Sequence, residues 1–142
     1  MKPLTVAVAA LALASLPLHA HAACGPAGGS PAQVVQAQVD AYNAHDVDAL
    51  VACYADDASL EYLSGGHPPI EGRDAIRKAF GFLAGQPQAF GVQIVERIVS
   101  GPVVIDLERL HGLPAGNRWP DSTVVYEVRD GRIAKAWFPP AR

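Results

Sequence analysis

The periodicity of the apolar residues changes from helical to strand-like at about Gln88, and this change constrains the fold more than any other feature. Beyond Gln88, four segments are rich in β-branched and aromatic residues, as strands usually are. They are Phe90 to Val99, Val103 to His111, Thr123 to Arg129 and Ile133 to Phe138. Asp130-Gly131 lies between the last two segments, and this dipeptide is a strong hairpin signal. The second half of the chain is therefore predicted to form a meandering antiparallel sheet.

Three helices are predicted before this sheet. Ser30-Pro31-Ala32-Gln33 combines a capping serine, a proline at the first helical position and a glutamine three residues after the cap. This pattern predicts a helix that runs to about Ala44. Asp46 is expected to cap a second, short helix, and a third helix is expected after Gly72, with a short strand at Ala58 to Leu63 between them. Helices grouped before strands indicate an α+β fold, with the helices packed on one face of a curved sheet.

The first residues have the pattern of a secretory signal peptide. Lys2 is followed by an apolar run from Leu4 to Leu18 and by small residues at Ala20 and Ala22. Lipidation of Cys24 is the weaker alternative, because His21 occupies the position where an apolar residue is expected. The predicted organisation is a signal peptide at 1–22, a linker at 23–29 and a single folded domain at 30–142. We therefore expect a periplasmic or secreted protein that has no membrane attachment after cleavage.

Charge and cysteine content narrow the expected partners and compartment. Loss of Lys2 with the signal would change the formal net charge from -3 to -4, so a nucleic-acid partner is not expected. In an oxidising compartment, Cys24 and Cys53 could form a disulfide. Alternatively, Cys53 is a free cysteine on a buried helical face, where it would act as a small apolar side chain. The sequence leaves both alternatives open.

Four segments resemble the nuclear transport factor 2-like superfamily, and among its branches the SnoaL-like and limonene epoxide hydrolase-like proteins. They are Ala41 to Leu50, Tyr54 to Ala58, Ile70 to Ile76 and Tyr126 to Ile133. The resemblance implies a cone-shaped barrel, in which a curved, mainly antiparallel sheet wraps around the N-terminal helices and encloses a pocket. It also implies that two copies could form a homodimer through the sheet. Because one fold serves many functions, the resemblance does not identify a reaction.

Alternation along the segment from Val103 to His111 separates two faces. Arg109 and His111 end an apolar row on one face, where they fit a pocket mouth or floor, or else a solvated strand end. If Arg109 is buried, its charge needs a partner, for which Tyr62, Glu61, Asp121, water and an acidic ligand group are the alternatives. An anionic or strongly polar oxygen on the ligand is therefore expected.

The resemblance also identifies positions that have lost the family's usual catalytic groups. Glu108 to His111 matches the Glu-Arg-x-Asp stretch of epoxide hydrolase-like members except at its last position, and Tyr62 and Ser64 match the groups that hold the water. No carboxylate follows Trp137 to act as the base. In ketosteroid isomerase-like members the base position falls on Tyr62, and the donor positions fall on residues that cannot donate protons. These are Phe80 and Val124.

The resulting prediction is an exported protein whose internal pocket binds a small apolar or amphipathic molecule. The alternative is a divergent epoxide hydrolase, cyclase or isomerase in which His111 serves as acid or base, with Arg109 and Tyr62. The predicted ligand-binding residues are Tyr62, Ser64, Phe80, Arg109, His111, Val124, Tyr126 and Phe138. No cofactor is expected, and no metal, because His45, His67 and His111 lack the spacing of zinc ligands.

Overall fold

The computed structural model describes residues 24–141, so the predicted signal peptide at 1–22 lies outside the described residues. Within residues 24–141, six strands form one sheet in the order β2-β1-β6-β5-β4-β3. The helices are α1 (Pro31–Asn43), α2 (Val47–Ala52) and α3 (Arg73–Phe80), and a 3-10 turn follows at Gly81–Gly85. The strands are β1 (Tyr54–Tyr62), β2 (Ile70–Glu71), β3 (Gly91–Ser100), β4 (Val103–His111), β5 (Ser122–Arg129) and β6 (Arg132–Phe138).

The predicted α+β fold is confirmed, with the helices on one face of a curved and mainly antiparallel sheet. Strand β1 runs parallel to β6, whereas every other neighbouring pair is antiparallel. The core lies between the helices and the inner face of the sheet, where Leu50, Ile76, Val104 and Ile133 are almost completely buried. None of the helices in residues 24–141 is long and apolar enough to span a membrane.

Local signals position α1 over the sheet. The Ser30 hydroxyl accepts a hydrogen bond from the Gln33 amide, and the Gln33 side chain accepts one from the Ser30 amide, so the helix begins as the sequence predicts. At the other end, the Asn43 side chain donates to the carbonyl of Val92 and accepts from its amide. These two bonds attach the end of α1 to the start of β3.

The first strand is longer than the sequence predicts. It begins at Tyr54 rather than at Ala58, because the chain pairs with β6 directly after α2. Asp56 and Asp57 therefore lie within a strand, where their exposed carboxylates form ion pairs with Arg73 and Arg129. Two polar residues obscured the strand in the sequence because their charges face solvent and find partners on neighbouring elements.

Cys24 and Cys53 are joined in a disulfide, with their Cα atoms 4.7 Å apart. Both cysteines are buried, so Cys53 has the apolar surroundings that the sequence predicts, but the disulfide excludes the alternative that it is a free cysteine. The bond attaches the segment before α1 to the end of α2.

Candidate functional site

A cavity of about 200 Å³ lies between α1 and the inner face of the sheet. Most of its wall is aromatic or aliphatic, and the polar groups come from α1, β1, β4 and β5. The aromatic wall residues are Tyr42, Tyr54, Tyr62, Phe80, Phe82, Tyr126 and Phe138, and the others are Gln38, Val39, Val92, Glu108, Leu110, Ser122 and Val124. The cavity is therefore suited to a small, largely apolar ligand.

The helical period of α1 and the alternation of β4 and β5 place these side chains around the same cavity. Gln38 and Tyr42 are four residues apart on α1, so both lie on the helix face that covers the sheet. On β4, Glu108 and Leu110 alternate with residues of the outer face, and on β5 the same applies to Val124 and Tyr126.

Glu108 is the one carboxylate that the described residues contribute to the cavity wall. Burial raises its pKa from 4.5 to about 7, while a hydrogen bond from Tyr126 partly opposes that increase. The Tyr126 hydroxyl donates to Glu108 Oε1 at 3.1 Å, and so orients the carboxyl group. A carboxyl with a pKa near neutrality can both take and give a proton at physiological pH.

Three tyrosines surround this carboxyl group. Burial, and then the charge of Glu108, raise the pKa of Tyr42 from 10.0 to about 12. The same two causes raise the pKa of Tyr54 and of Tyr126. All three hydroxyls therefore keep their protons at neutral pH and can donate hydrogen bonds.

A buried ion pair lies next to Glu108 along β4. Asp106 is completely buried, and Arg97 on β3 donates to both of its oxygens at 2.6 Å. Arg97 also donates to Gln36 on α1 at 2.9 Å, so the pair connects the sheet to the helix that covers the cavity. Because the two charges neutralise each other, the pair adds no net charge to the cavity wall.

Gln38 contributes a polar atom that has no partner. The residue is 4% exposed, and its Oε1 makes no hydrogen bond to any residue that the structure describes. Buried polar groups are normally paired, and an unpaired one destabilises the folded protein. Gln38 lines the cavity, but its Oε1 is shielded from groups the size of a water molecule, so this unpaired atom is not itself a ligand contact.

The cavity opens to solvent beside two exposed aromatic wall residues. Tyr62 and Phe82 are 44% and 47% exposed, and Tyr62 stacks on Phe138 with ring centroids 4.9 Å apart. The His67 ring packs edge-on against Tyr62 from the loop that follows β1.

Five of the predicted ligand-binding residues line this cavity, and ligand contact by them remains a prediction. They are Tyr62, Phe80, Val124, Tyr126 and Phe138. Ser64 does not line it, because the residue lies exposed in the turn after β1. The structure thus brings together residues from β1, α3, β5 and β6 that are far apart in the sequence.

The expectation that Arg109 and His111 lie in this cavity is wrong. Both side chains lie on the outer face of β4, beside a separate hollow formed with the loop that follows the strand. Arg109 donates to both oxygens of Asp121, at 2.9 and 2.7 Å, and His111 Nδ1 donates to the carbonyl of Ala89 at 2.8 Å. Asp121 was one of the partners that the sequence offered for Arg109, but the pair is exposed and so needs no ligand.

Sequence reasoning missed Glu108 and Gln38 as site residues. The apolar row of β4 that ends at Arg109 suggested an inward face, whereas the inward face carries two carboxylates. One signal could have identified the inward face of β4. Arg97 and Asp106 lie opposite each other on β3 and β4, and such a pair of opposite charges can be buried. Among the described residues, no group of side chains is arranged to hold a metal ion.

Comparisons with known proteins agree with the geometry of the fold. The model of the SnoaL-like domain family matches residues 35–136. No curated protein sequence matches the chain.

Three solved structures illustrate the similarity. A cystatin-fold protein from Novosphingobium aromaticivorans is 26% identical over 78% of this chain and 98% of its own, with a TM-score of 0.66. An LEH-like epoxide hydrolase from M. tuberculosis is 25% identical over 74% of this chain and 77% of its own, with a TM-score of 0.59. An NTF2-like protein from Mesorhizobium loti is 22% identical over 77% of this chain and 88% of its own, with a TM-score of 0.64, and supports the fold alone.

Proposed function

The chain belongs to the SnoaL-like domain family of the nuclear transport factor 2-like superfamily, and from this premise we propose that its cavity binds a small, largely apolar molecule with one polar group. The observation that carries the proposal is the aromatic cavity of about 200 Å³ that has Glu108 in its wall. A dry protein cavity of about 150 Å³ accommodates benzene. The ligand is therefore expected to be of about the size of a single substituted ring.

The charge of the cavity wall supports a neutral or cationic ligand rather than an anionic one. Glu108 is an acid, and no basic side chain of the described residues lines the cavity. An anionic ligand would therefore be repelled by the carboxylate and would lack a buried partner. The sequence predicts an anionic or strongly polar oxygen on the ligand; the anionic form depends on Arg109, which lies outside the cavity, so only the polar group is kept in the proposal.

The test uses two neighbouring residues that lie on opposite faces of β5. Ser122 lines the cavity, whereas Thr123 lies on the outer face of the sheet, and both are half-buried. The experiment is mass spectrometry of small molecules that copurify with the wild type, with Ser122→Phe and with Thr123→Phe. We expect Ser122→Phe to lose the ligand because it fills the cavity, and Thr123→Phe to retain it. Equal retention in both variants would exclude the cavity as the binding site.

A second candidate function is acid-base catalysis in the same cavity, and the specific observation that favours it is the pKa of Glu108, about 7. The carboxylate would remove a proton from a carbon next to a carbonyl group, or from a water that opens an epoxide. The Tyr42 and Tyr54 hydroxyls would donate to the oxygen on which charge develops. The similarity to an epoxide hydrolase supports this class of chemistry.

Turnover separates the two candidate functions. With a small cyclic epoxide or enone as substrate, catalysis should follow the ionisation of Glu108 with a midpoint near pH 7 and should be lost in Glu108→Gln. His111→Ala should retain it, because His111 lies outside the cavity. Loss of turnover in His111→Ala instead would return the acid-base role to that histidine.

Export of the protein to the periplasm or beyond is part of the proposal. The Cys24–Cys53 disulfide supports it, because such bonds persist in oxidising compartments. N-terminal sequencing of the protein from the producing cell should begin at Ala23. A chain that retains Met1 or Lys2 would contradict export by this route.

A further inference from the structure

The cavity contains an acidic group and no base beside it. Glu108 is the only carboxylate that residues 24–141 contribute to the wall, and those residues contribute no lysine, arginine or histidine side chain to it. The neighbouring acid on β4, Asp106, already has a partner, because Arg97 donates to both of its oxygens. When Glu108 ionises, its charge therefore has no directly paired cation among the described residues.

One oxygen of Glu108 is open to a ligand. Oε1 accepts the hydrogen bond from Tyr126, whereas Oε2 makes no hydrogen bond to any described residue. Among the described side chains, the one polar atom that is both unpaired and shielded from water-sized groups is Gln38 Oε1, so Glu108 Oε2 retains accessible surface. Glu108 lies on the inner face of β4 and lines the cavity, which is the space from which Oε2 can be reached.

We propose that the ligand of this cavity is a small ring compound with a protonated amine, whose N–H group donates a hydrogen bond to Glu108 Oε2. This inference rests on the proposed binding function and specifies the chemistry of its ligand. A buried carboxylate without a counter-charge is unfavourable, and an ammonium group supplies both the missing charge and the missing donor. The aromatic wall suits the same ligand, because aromatic side chains pack against a ring and attract a cation that lies over a ring face.

Charge distinguishes this ligand from neutral ones. A hydroxyl group can donate to the same oxygen, but it leaves the charge of the carboxylate uncompensated. Burial raises the pKa of Glu108 from 4.5 to about 7, and a bound cation lowers the pKa of a neighbouring carboxyl group. Affinity for an amine should therefore rise with pH as Glu108 ionises, whereas affinity for a neutral alcohol should change much less.

Other charged or titratable groups also surround Glu108. Arg97 and Asp106 compensate each other, and the His67 ring packs against Tyr62 at the opening without lining the cavity. Three tyrosines on α1, β1 and β5 have a raised pKa and keep their protons at neutral pH. They are Tyr42, Tyr54 and Tyr126. The experiment therefore includes a variant that removes the charge of Glu108 alone.

The test compares two ring compounds of similar size in three proteins. Benzylamine stays mostly protonated at pH 5.5 and at pH 8, whereas benzyl alcohol keeps the ring and a donor but has no charge. Their dissociation constants are measured by NMR titration at both pH values with the wild type, with Glu108→Gln and with Glu96→Gln. Glu96 is an exposed carboxylate on β3, so its substitution makes the same change in net charge outside the cavity.

At pH 8 we expect the wild type to prefer benzylamine over benzyl alcohol by about tenfold, because a charge-assisted hydrogen bond replaces a neutral one. At pH 5.5 the affinity for benzylamine should be lower by up to about thirtyfold, since about 3% rather than about 90% of Glu108 is then ionised. Glu108→Gln should lose both the preference and the pH dependence while it still binds benzyl alcohol. Glu96→Gln should keep both.

A second measurement needs no variant. At pH 7 about half of Glu108 is protonated before binding, and an ammonium ligand would leave it ionised. Binding of benzylamine to the wild type should therefore release about half a proton per ligand, as measured by calorimetry in buffers of different ionisation enthalpy. Absence of proton release would overturn the inference even if Glu108→Gln failed to fold.

The possible failures are distinguishable. Equal or weaker binding of benzylamine than of benzyl alcohol at pH 8 would overturn the amine assignment but leave the binding function intact. An unchanged preference in Glu108→Gln, or an equal loss in Glu96→Gln, would show that the preference comes from the overall charge of the protein and would also overturn the inference. If neither compound binds to the wild type at either pH, the proposed binding function itself fails for ligands of this size.

Discussion

Glu108 links the stability of the protein to pH, because its pKa is raised from 4.5 to about 7 in the folded protein. The folded state therefore binds this proton more tightly than the unfolded chain does. The stabilisation is fully present below about pH 4.5 and is lost as the pH rises through about 7.

Substitution of Glu108 by Gln should remove this pH dependence. Between pH 4.5 and 8, the free energy of unfolding of the ligand-free wild type should fall by up to about 3 kcal/mol relative to Glu108→Gln. Denaturant unfolding at the two pH values measures the difference. Glu96→Gln, which changes an exposed carboxylate on β3, should keep the wild-type pH dependence. Parallel profiles for Glu108→Gln and the wild type would contradict the assigned environment of Glu108.

Arg109 is predicted to have no role in ligand binding, in contrast to Glu108. Its side chain is half exposed and pairs with Asp121 on the outer face of β4. Arg109→Met should leave retention of the copurifying ligand unchanged, because Arg109 lies outside the cavity, whereas a position in the pocket would make the substitution weaken binding. The melting temperature should change little, because exposed ion pairs contribute little to stability. Loss of that ligand from Arg109→Met, measured by mass spectrometry of copurifying molecules, would show that the cavity extends to the outer face.

At the residue scale, the sequence predicted the apolar part of the site better than its polar part. Tyr62 and Val124 could be placed because the family resemblance assigns them to pocket positions, and both line the cavity. Glu108 could not, because alternation identifies two faces of a strand without saying which one the helices cover. Gln38 could not either, because a glutamine on a helix is usually solvated, and only the packed structure shows it to be buried.

At the scale of elements, the join between β4 and the loop that follows it depends on Gly112. The residue has a φ of +71°, and a Cβ atom there would lie only 2.0 Å from the carbonyl oxygen of Ala89. Gly116 in the same loop has a φ of +87°, but no atom lies within 4 Å of the corresponding position. The two glycines therefore separate the effect of backbone conformation from that of close contact.

Gly116→Ala should cost about 1 to 2 kcal/mol, the usual cost of a left-handed conformation for a residue with a Cβ. Gly112→Ala should cost more than about 3 kcal/mol, because the backbone of two segments must also move apart. Urea unfolding of both variants measures the difference. Equal costs would mean that the contact with Ala89 is relieved by a small shift.

The disulfide stabilises the connection between the segment before α1 and the end of α2. It closes a loop with a sequence separation of 29 residues. For such a loop, restriction of the unfolded chain accounts for about 3 to 4 kcal/mol. The double variant Cys24→Ser/Cys53→Ser should therefore unfold at a lower denaturant concentration by this amount. Treatment of the wild type with a reductant should have the same effect, and no change in either experiment would contradict it.

Element boundaries were predictable where local signals are strong. The Ser30 cap and the Asp46 cap begin α1 and α2 as the sequence predicts. The two-residue strand β2 was not predictable, because Ile70 and Glu71 form a strand only by pairing with Leu60 and Ser59 on β1. A strand of this length depends on a partner that lies elsewhere in the sequence, rather than on its own residues.

At the scale of the whole molecule, the outer face of the sheet carries an apolar row that crosses four strands. Ile98 lies opposite Ile105, Ile105 opposite Val125, and Val125 opposite Trp137. Ile98 is 53% exposed, and none of the described helices covers this face. The homodimer that the sequence resemblance implies therefore remains a prediction, and this row is the surface that would bury apolar area in it.

We expect sedimentation equilibrium at micromolar concentration to give a dimer for the wild type and a monomer for Ile98→Glu, because the substitution would place a carboxylate from each copy in the apolar interface. Val99→Glu is the matched control. Val99 is 49% exposed on the same strand but alternates to the other face, so this variant should remain a dimer. A specific interface buries at least about 1,000 Å² in total, an area that a row across four strands and its neighbours can provide. A monomeric wild type would exclude the dimer, and dissociation by Val99→Glu alone would place the interface on the opposite face of β3.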